Sequence, residues 1–84
     1  MIIETDELRE ILDHCEKSQE RYGNFASVHE ALGVALEEWT ELVSAVHANK
    51  IESVRMEAID LAAVLIRLAG QCRNSDNLRK RSVK

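Results

Sequence analysis

The sequence predicts an all-α protomer of three helices, and three observations carry that prediction. Proline is absent and glycine occurs only three times in 84 residues, so little in the chain breaks a long helix. Apolar residues recur at three- and four-residue spacing over about 6–22, 27–48 and 50–73, the period of an amphipathic helix rather than of a strand. Short polar joints, Gly23-Asn24 and Asn49-Lys50, separate these segments.

In the first segment Leu8, Ile11, Leu12, Cys15, Gln19 and Tyr22 form a narrow stripe, apolar but for Gln19. Thr5 or Asp6 supplies its cap, and Gly23-Asn24 ends it because both residues tolerate the left-handed conformation found after helix C-termini. The second segment opens on Ser27-Val28-His29-Glu30, the form of a capping box. There Val28, Leu32, Ala35, Leu36, Trp39, Leu42, Val43 and Val46 fall on one side at 100° per residue. Glu30, Glu37, Glu38 and Glu41 gather on the other with Val34 and Ala45. Asn49-Lys50-Ile51-Glu52 is read as the turn and cap of the third helix, in which Val54, Ala58, Leu61, Leu65 and Leu68 line one side. A stripe of Glu57, Asp60, Val64 and Arg67 lies directly beside it, and Ile59, Ala63 and Ile66 lie roughly opposite. From residue 74 the polar, basic tail is expected to be disordered.

Size and composition set the remaining bounds. A single domain of 84 residues buries only a small core. One Trp, one Tyr and one Phe leave that core to Leu, Ile, Val and Ala. If the acid sides of helices two and three face each other, the Trp39 stripe needs cover from helix one or from another chain. A homodimer or homotetramer with a four-helix-type core is therefore expected. The net charge of −4 argues against nucleic acid binding through the whole surface, although Arg79, Lys80, Arg81 and Lys84 are locally basic. Cys15 and Cys72 belong to no Cys-x-x-Cys pair and read as two buried free thiols. The amino terminus is too acidic and too briefly apolar for a signal peptide, and no apolar run approaches the ~20 residues that span a bilayer. A cytoplasmic protein without membrane contact is the expectation.

The chemistry points to the acids. Glu38 with Glu41, and Glu57 with Asp60, are spaced so that each pair leaves one helix face. No Lys or Arg occurs from Tyr22 to Asn49, whereas a solvated acidic helix usually intersperses basic residues. Glu37 and Glu41 also repel each other at i, i+4, at a cost of a few tenths of a kcal/mol. Uncompensated carboxylates invite a hard divalent cation, magnesium above all, and with it phosphate chemistry. The plainer reading of the glutamates on helix two is a water-facing acidic stripe.

Glu37-Glu38-x-x-Glu41 followed by Glu57-x-x-Asp60 resembles the signature of the MazG-like branch of the all-α nucleoside triphosphate pyrophosphohydrolases. The approach segment Tyr22 to Ala31 is similar to that of short phage- and mobile-element-type members, and the resemblance covers about residues 20–69. It implies hydrolysis of a nucleoside triphosphate between the α and β phosphates, with magnesium, or manganese in its place. It also implies Glu38, Glu41, Glu57 and Asp60 as metal ligands, with Glu37 as a further ligand or the group that orients the attacking water. Candidate phosphate contacts are Arg67, Arg21 and Lys17; His29 is a candidate nucleotide contact and Phe25 a candidate stacking platform. For each cation the plain alternative is surface solubility, and for His29 it is local structure in a first helical turn. Trp39, which points away from the acids, reads as a core or interface anchor. A carboxylate-bridged di-iron bundle needs Glu-x-x-His pairs, and none of His14, His29 or His47 has a Glu three residues before it. The competing class is a non-catalytic helical dimer or adaptor that keeps the fold and binds a nucleotide or a protein.

Overall fold

The computed structural model describes residues 5–74, so the basic tail read from the sequence lies, apart from Asn74, outside the described residues. Helix α1 spans Thr5–Tyr22, α2 Val28–His47 and α3 Ile51–Asn74, and no strand occurs among the described residues. None of these helices is long and apolar enough to cross a membrane.

Each joint follows from local chemistry. Gly23 takes φ 73° and its N–H donates to Gln19 O at 2.9 Å, closing α1 with a left-handed residue that glycine adopts without a Cβ penalty. Ser27 caps α2 by accepting from Glu30 N at 3.0 Å, while the Glu30 carboxylate reaches back to Ala26 N at 2.6 Å. The box is thus reciprocal but closes one residue earlier than the Ser27 amide. Asn49 ends α2 rather than starting α3. It sits at φ 57°, with Asn49 N donating to Val46 O and Lys50 N to Ala45 O, the paired bonds that terminate a helix at a left-handed residue.

Helix α3 is the central element: it packs on α2 along one side and on α1 along another, while α1 and α2 scarcely meet. The buried cluster is Phe25, Ala31 and Val64, with Val34, Ala35 and Leu68 against it. Helix α2 therefore turns Ala31, Val34, Ala35, Glu38, Leu42 and Ala45 toward α3, while Glu30, Glu37 and Glu41 are exposed. Leu32, Leu36, Trp39 and Val46 are left about half exposed on its outer side. Helix α1 covers none of this stripe. On α3, Ala58, Leu65 and Ala69 form an outer strip, all exposed, that the helical period places on the same side of the hairpin as Leu36 and Trp39.

Helix α1 is rotated from the sequence expectation. Glu7, Ile11, His14, Cys15 and Ser18 are the half-buried residues, and Leu8, Leu12 and Tyr22 are exposed. The Cys15 thiol donates to Ala63 O at 3.5 Å, and burial pushes its pKa up. Of the two thiols expected inside, Cys72 is exposed near the end of α3. The far end of α1 is tied to α3 by Arg55, which donates to both Glu7 and Glu10. The α1–α2 loop is held from α3 as well. Gln71 accepts from Phe25 N at 2.9 Å and donates to Phe25 O at 2.7 Å, and Arg67 donates to Gly23 O at 2.9 Å.

Candidate metal centre

Because α1 and α2 both lean on α3 without closing on each other, a trough remains between them. It has a volume of about 900 Å³, within the range of ligand sites. Its α1 wall carries Glu10, His14, Lys17 and Arg21, its α2 wall Val34, Glu37 and Glu38, and its floor Asp60, Val64 and Arg67 from α3. Beside it, where α2 faces α3, carboxylate oxygens of Glu38, Glu41 and Glu57 all lie within 4.8 Å of one another. Glu38 belongs to both, so the acid cluster opens onto the trough.

The electrostatics of this cluster are those of crowded carboxylates, with only His14 acting in the opposite sense on Glu38. Glu38 Oε1 and Glu57 Oε1 are buried and have no hydrogen-bond partner, an arrangement that costs free energy unless something fills it. Burial, then the charges of Glu41, Asp60 and Glu57, push the Glu38 carboxyl up to about 6. Glu57 is pushed up in the same way, first by burial and then by Glu41 through both hydrogen bonding and charge. An octahedral ion with ligands at about 2.1 Å sets its oxygens about 3 to 4 Å apart, so a modest contraction of the three carboxylates matches a magnesium-sized ion.

The fourth expected ligand, Asp60, is placed differently. It lines the trough near enough to raise Glu38, but its Oδ1 is held by His14 Nε2 at 2.7 Å. Glu37 lines the trough beside Glu38. Lys17 and Arg21 stand on the opposite wall; Lys17 pairs with Asp13 at 3.1 Å and Arg21 lies 5.5 Å from the Tyr22 ring centroid.

Other expected contacts serve the fold. The Arg67 guanidinium sits 4.5 Å from the centroid of the Phe25 ring and donates to Gly23 O, which makes it an anchor for the loop. Phe25 is 8% exposed and packs on Ala31 and Val64, so its ring is part of the core, and it also lines the trough. His29 is exposed and is absent from the residues lining the trough.

The sequence reading passed over His14, Ser18 and Gln71. Ile11, His14, Cys15 and Ser18 follow i, i+3, i+4, i+7 spacing, but a stripe drawn through apolar residues alone leaves His14 and Ser18 out. Nothing local marks Gln71, whose partner is 46 residues away. Comparison of the chain with protein-family models, with curated proteins and with solved structures found no match.

Proposed function

We propose that this chain is a magnesium-dependent nucleoside triphosphate pyrophosphohydrolase of the MazG-like kind, releasing a nucleoside monophosphate and pyrophosphate. The observation that carries the proposal is the convergence of Glu38, Glu41 and Glu57 within 4.8 Å, two of them with buried, unpartnered oxygens, at the edge of a trough large enough for a nucleotide. Glu38, Glu41 and Glu57 hold the ion, and Asp60 offers its remaining oxygen from the adjacent turn of α3. Magnesium bound there supplies charge neutralisation for the triphosphate and a lowered pKa for water. In this reading Glu37, on the same wall as Glu38, orients the attacking water. Lys17 and Arg21 face the acids across the trough and attract phosphate oxygens, while apolar Val34, Ile59 and Val64 accept the less polar part of the substrate.

The working form in this proposal is at least a homodimer. Leu32, Leu36, Trp39 and Val46 of α2, together with Leu65 of α3, are half exposed on one side of the α2/α3 hairpin. A second copy of that hairpin would convert it to a four-helix core. The same surface favours the second reading, an adaptor that docks a protein partner without turnover. A panel of ribo- and deoxyribonucleoside triphosphates, assayed for pyrophosphate with and without magnesium, separates the two. Release from at least one nucleotide, lost in Glu41→Gln and Asp60→Asn, is expected. No release across the panel would sink the enzymatic proposal.

A further inference from the structure

The acids of the trough are not all in the same state. Glu38 and Glu57 each keep an oxygen without a partner, whereas Asp60 gives Oδ1 to His14 of α1 at 2.7 Å. His14 is itself held from behind: Ser18 Oγ lies 3.3 Å from its Nδ1, one helical turn along. The Asp60 carboxylate oxygen only accepts, so Nε2 carries the proton that faces it, and the Ser18 hydroxyl, able to donate or accept, braces Nδ1 on the other side of the ring. The three side chains thus form a linked chain, Ser18, His14 and Asp60, across the α1/α3 contact.

The residue type matters as much as the distance. Elsewhere α1 is joined to α3 by an arginine, Arg55, whose guanidinium neutralises Glu7 and Glu10 and pulls the Glu10 carboxyl below its usual range. An arginine or lysine at position 14 would neutralise Asp60 in the same manner and compete with any cation for it. An imidazole donating Nε2–H to one oxygen fixes the direction of the carboxylate and leaves its other oxygen free for a ligand role. For a pair whose side chains are 38% and 31% exposed, the contribution to fold stability is small. Orientation of a ligand is the more specific use.

We infer that His14 is a positioning residue of the metal centre, holding Asp60 through Nε2–H so that its other oxygen is turned to a divalent cation shared with Glu38, Glu41 and Glu57. This inference rests on the proposed reading of the acid cluster as a cation site. It makes α1 a functional part of that site and not only a cover for α3. Outer partners of this kind typically change metal affinity 10- to 100-fold when removed.

The test is manganese binding to the full chain, followed as loss of the free-ion electron paramagnetic resonance signal. Wild type, His14→Ala, His14→Gln and Ser18→Ala are compared, with helix content checked by circular dichroism. Wild type is expected to bind, His14→Ala to bind about 10- to 100-fold more weakly, and Ser18→Ala to fall between them. His14→Gln, whose amide N–H extends to a similar reach, is expected to recover most of the loss. If His14→Ala fails to fold, the ordering of wild type, Ser18→Ala and His14→Gln decides the matter alone. Wild type binding with unchanged or tighter binding in folded His14→Ala would overturn the role of His14 and leave the cation site standing. No manganese binding by wild type would remove the cation site, and this inference with it.

Discussion

Replacing Glu38 by Gln should make the metal-free protein more stable while removing its response to magnesium. Burial and the neighbouring charges of Glu41, Asp60 and Glu57 raise the Glu38 carboxyl from 4.5 to about 6. The folded chain therefore holds a proton on Glu38 over a range where the unfolded chain has released it. Stability falls as pH rises through about 4.5 to 6 and stays lower above that window. At about 1.4 kcal/mol per pKa unit the cost approaches 2 kcal/mol at neutral pH, and partial solvent screening brings it nearer 1 kcal/mol. Glutamine keeps the volume, removes the charge and offers an amide N–H to the carboxylates of Glu41 and Glu57. In a domain this small, about 1 kcal/mol moves the thermal midpoint by roughly 4–8 °C.

Thermal unfolding by circular dichroism, at one protein concentration and with chelator present, reads this directly. At pH 7.5 the variant should melt several degrees above wild type, and at pH 4.5 the gap should close because wild-type Glu38 is then largely protonated. Saturating magnesium should raise the wild-type midpoint at pH 7.5 and leave the variant nearly unmoved, since an ion that binds only the folded chain stabilises it by mass action. A variant that melts at or below wild type in chelator at pH 7.5 would show that Glu38 is simply solvated, and the reasoning about a strained acid cluster would fail.

Two other substitutions probe the parts that frame the site. Trp39→Glu puts a charge in the centre of the half-exposed α2 stripe and should reduce the proposed dimer to monomer in sedimentation at micromolar concentration; a wild type that is already monomeric would refute the proposed interface. Gln71→Ala leaves Phe25 N–H and C=O without their side-chain partner, and a loss of about 1–3 kcal/mol in urea unfolding is expected, with no change expected if water replaces both bonds.

Much of the architecture was legible because helical period and end signals are local. Ser27 and Gly23 act where the sequence placed them, and α1, α2 and α3 fall within a residue or two of the ranges read from periodicity. Asn49 forms the expected turn, but as the end of α2 rather than the cap of α3, because one asparagine can end a helix or begin the next and only the backbone bonds to Val46 and Ala45 decide. Three of the expected ligands converge because Glu38, Glu41 and Glu57 share the α2/α3 contact. What could not be read was α1. Its order along the chain does not say which of its faces meets α3, and a histidine counted as polar hides an inward-facing position. Nor does a motif on α2 and α3 reveal that Asp60 already has a neighbour on a third helix.

The orientation of α2 ties the two halves of the functional proposal together. An ordinary amphipathic helix would bury Leu36 and Trp39 and expose Glu38; this one half-buries Glu38 against α3, with the exposed Glu41 beside it, and leaves Leu36 and Trp39 about half exposed. Within one chain that choice is doubly costly, because it crowds carboxylates and forgoes burial of the largest side chains. The buried apolar residues among those described are Phe25, Ala31, Ala45, Ala63 and Val64, three of them alanine. Such a core gives little reserve in a chain of 84 residues. A second copy covering the apolar side and a cation neutralising the acid side would each favour the same rotation of α2. Dimer formation and metal binding should therefore be thermodynamically linked, each strengthening the other by stabilising one orientation of that helix. Magnesium should tighten self-association of wild type and not of Glu38→Gln. Sedimentation equilibrium with and without the ion would reject the linkage if the dimer constant of wild type did not move.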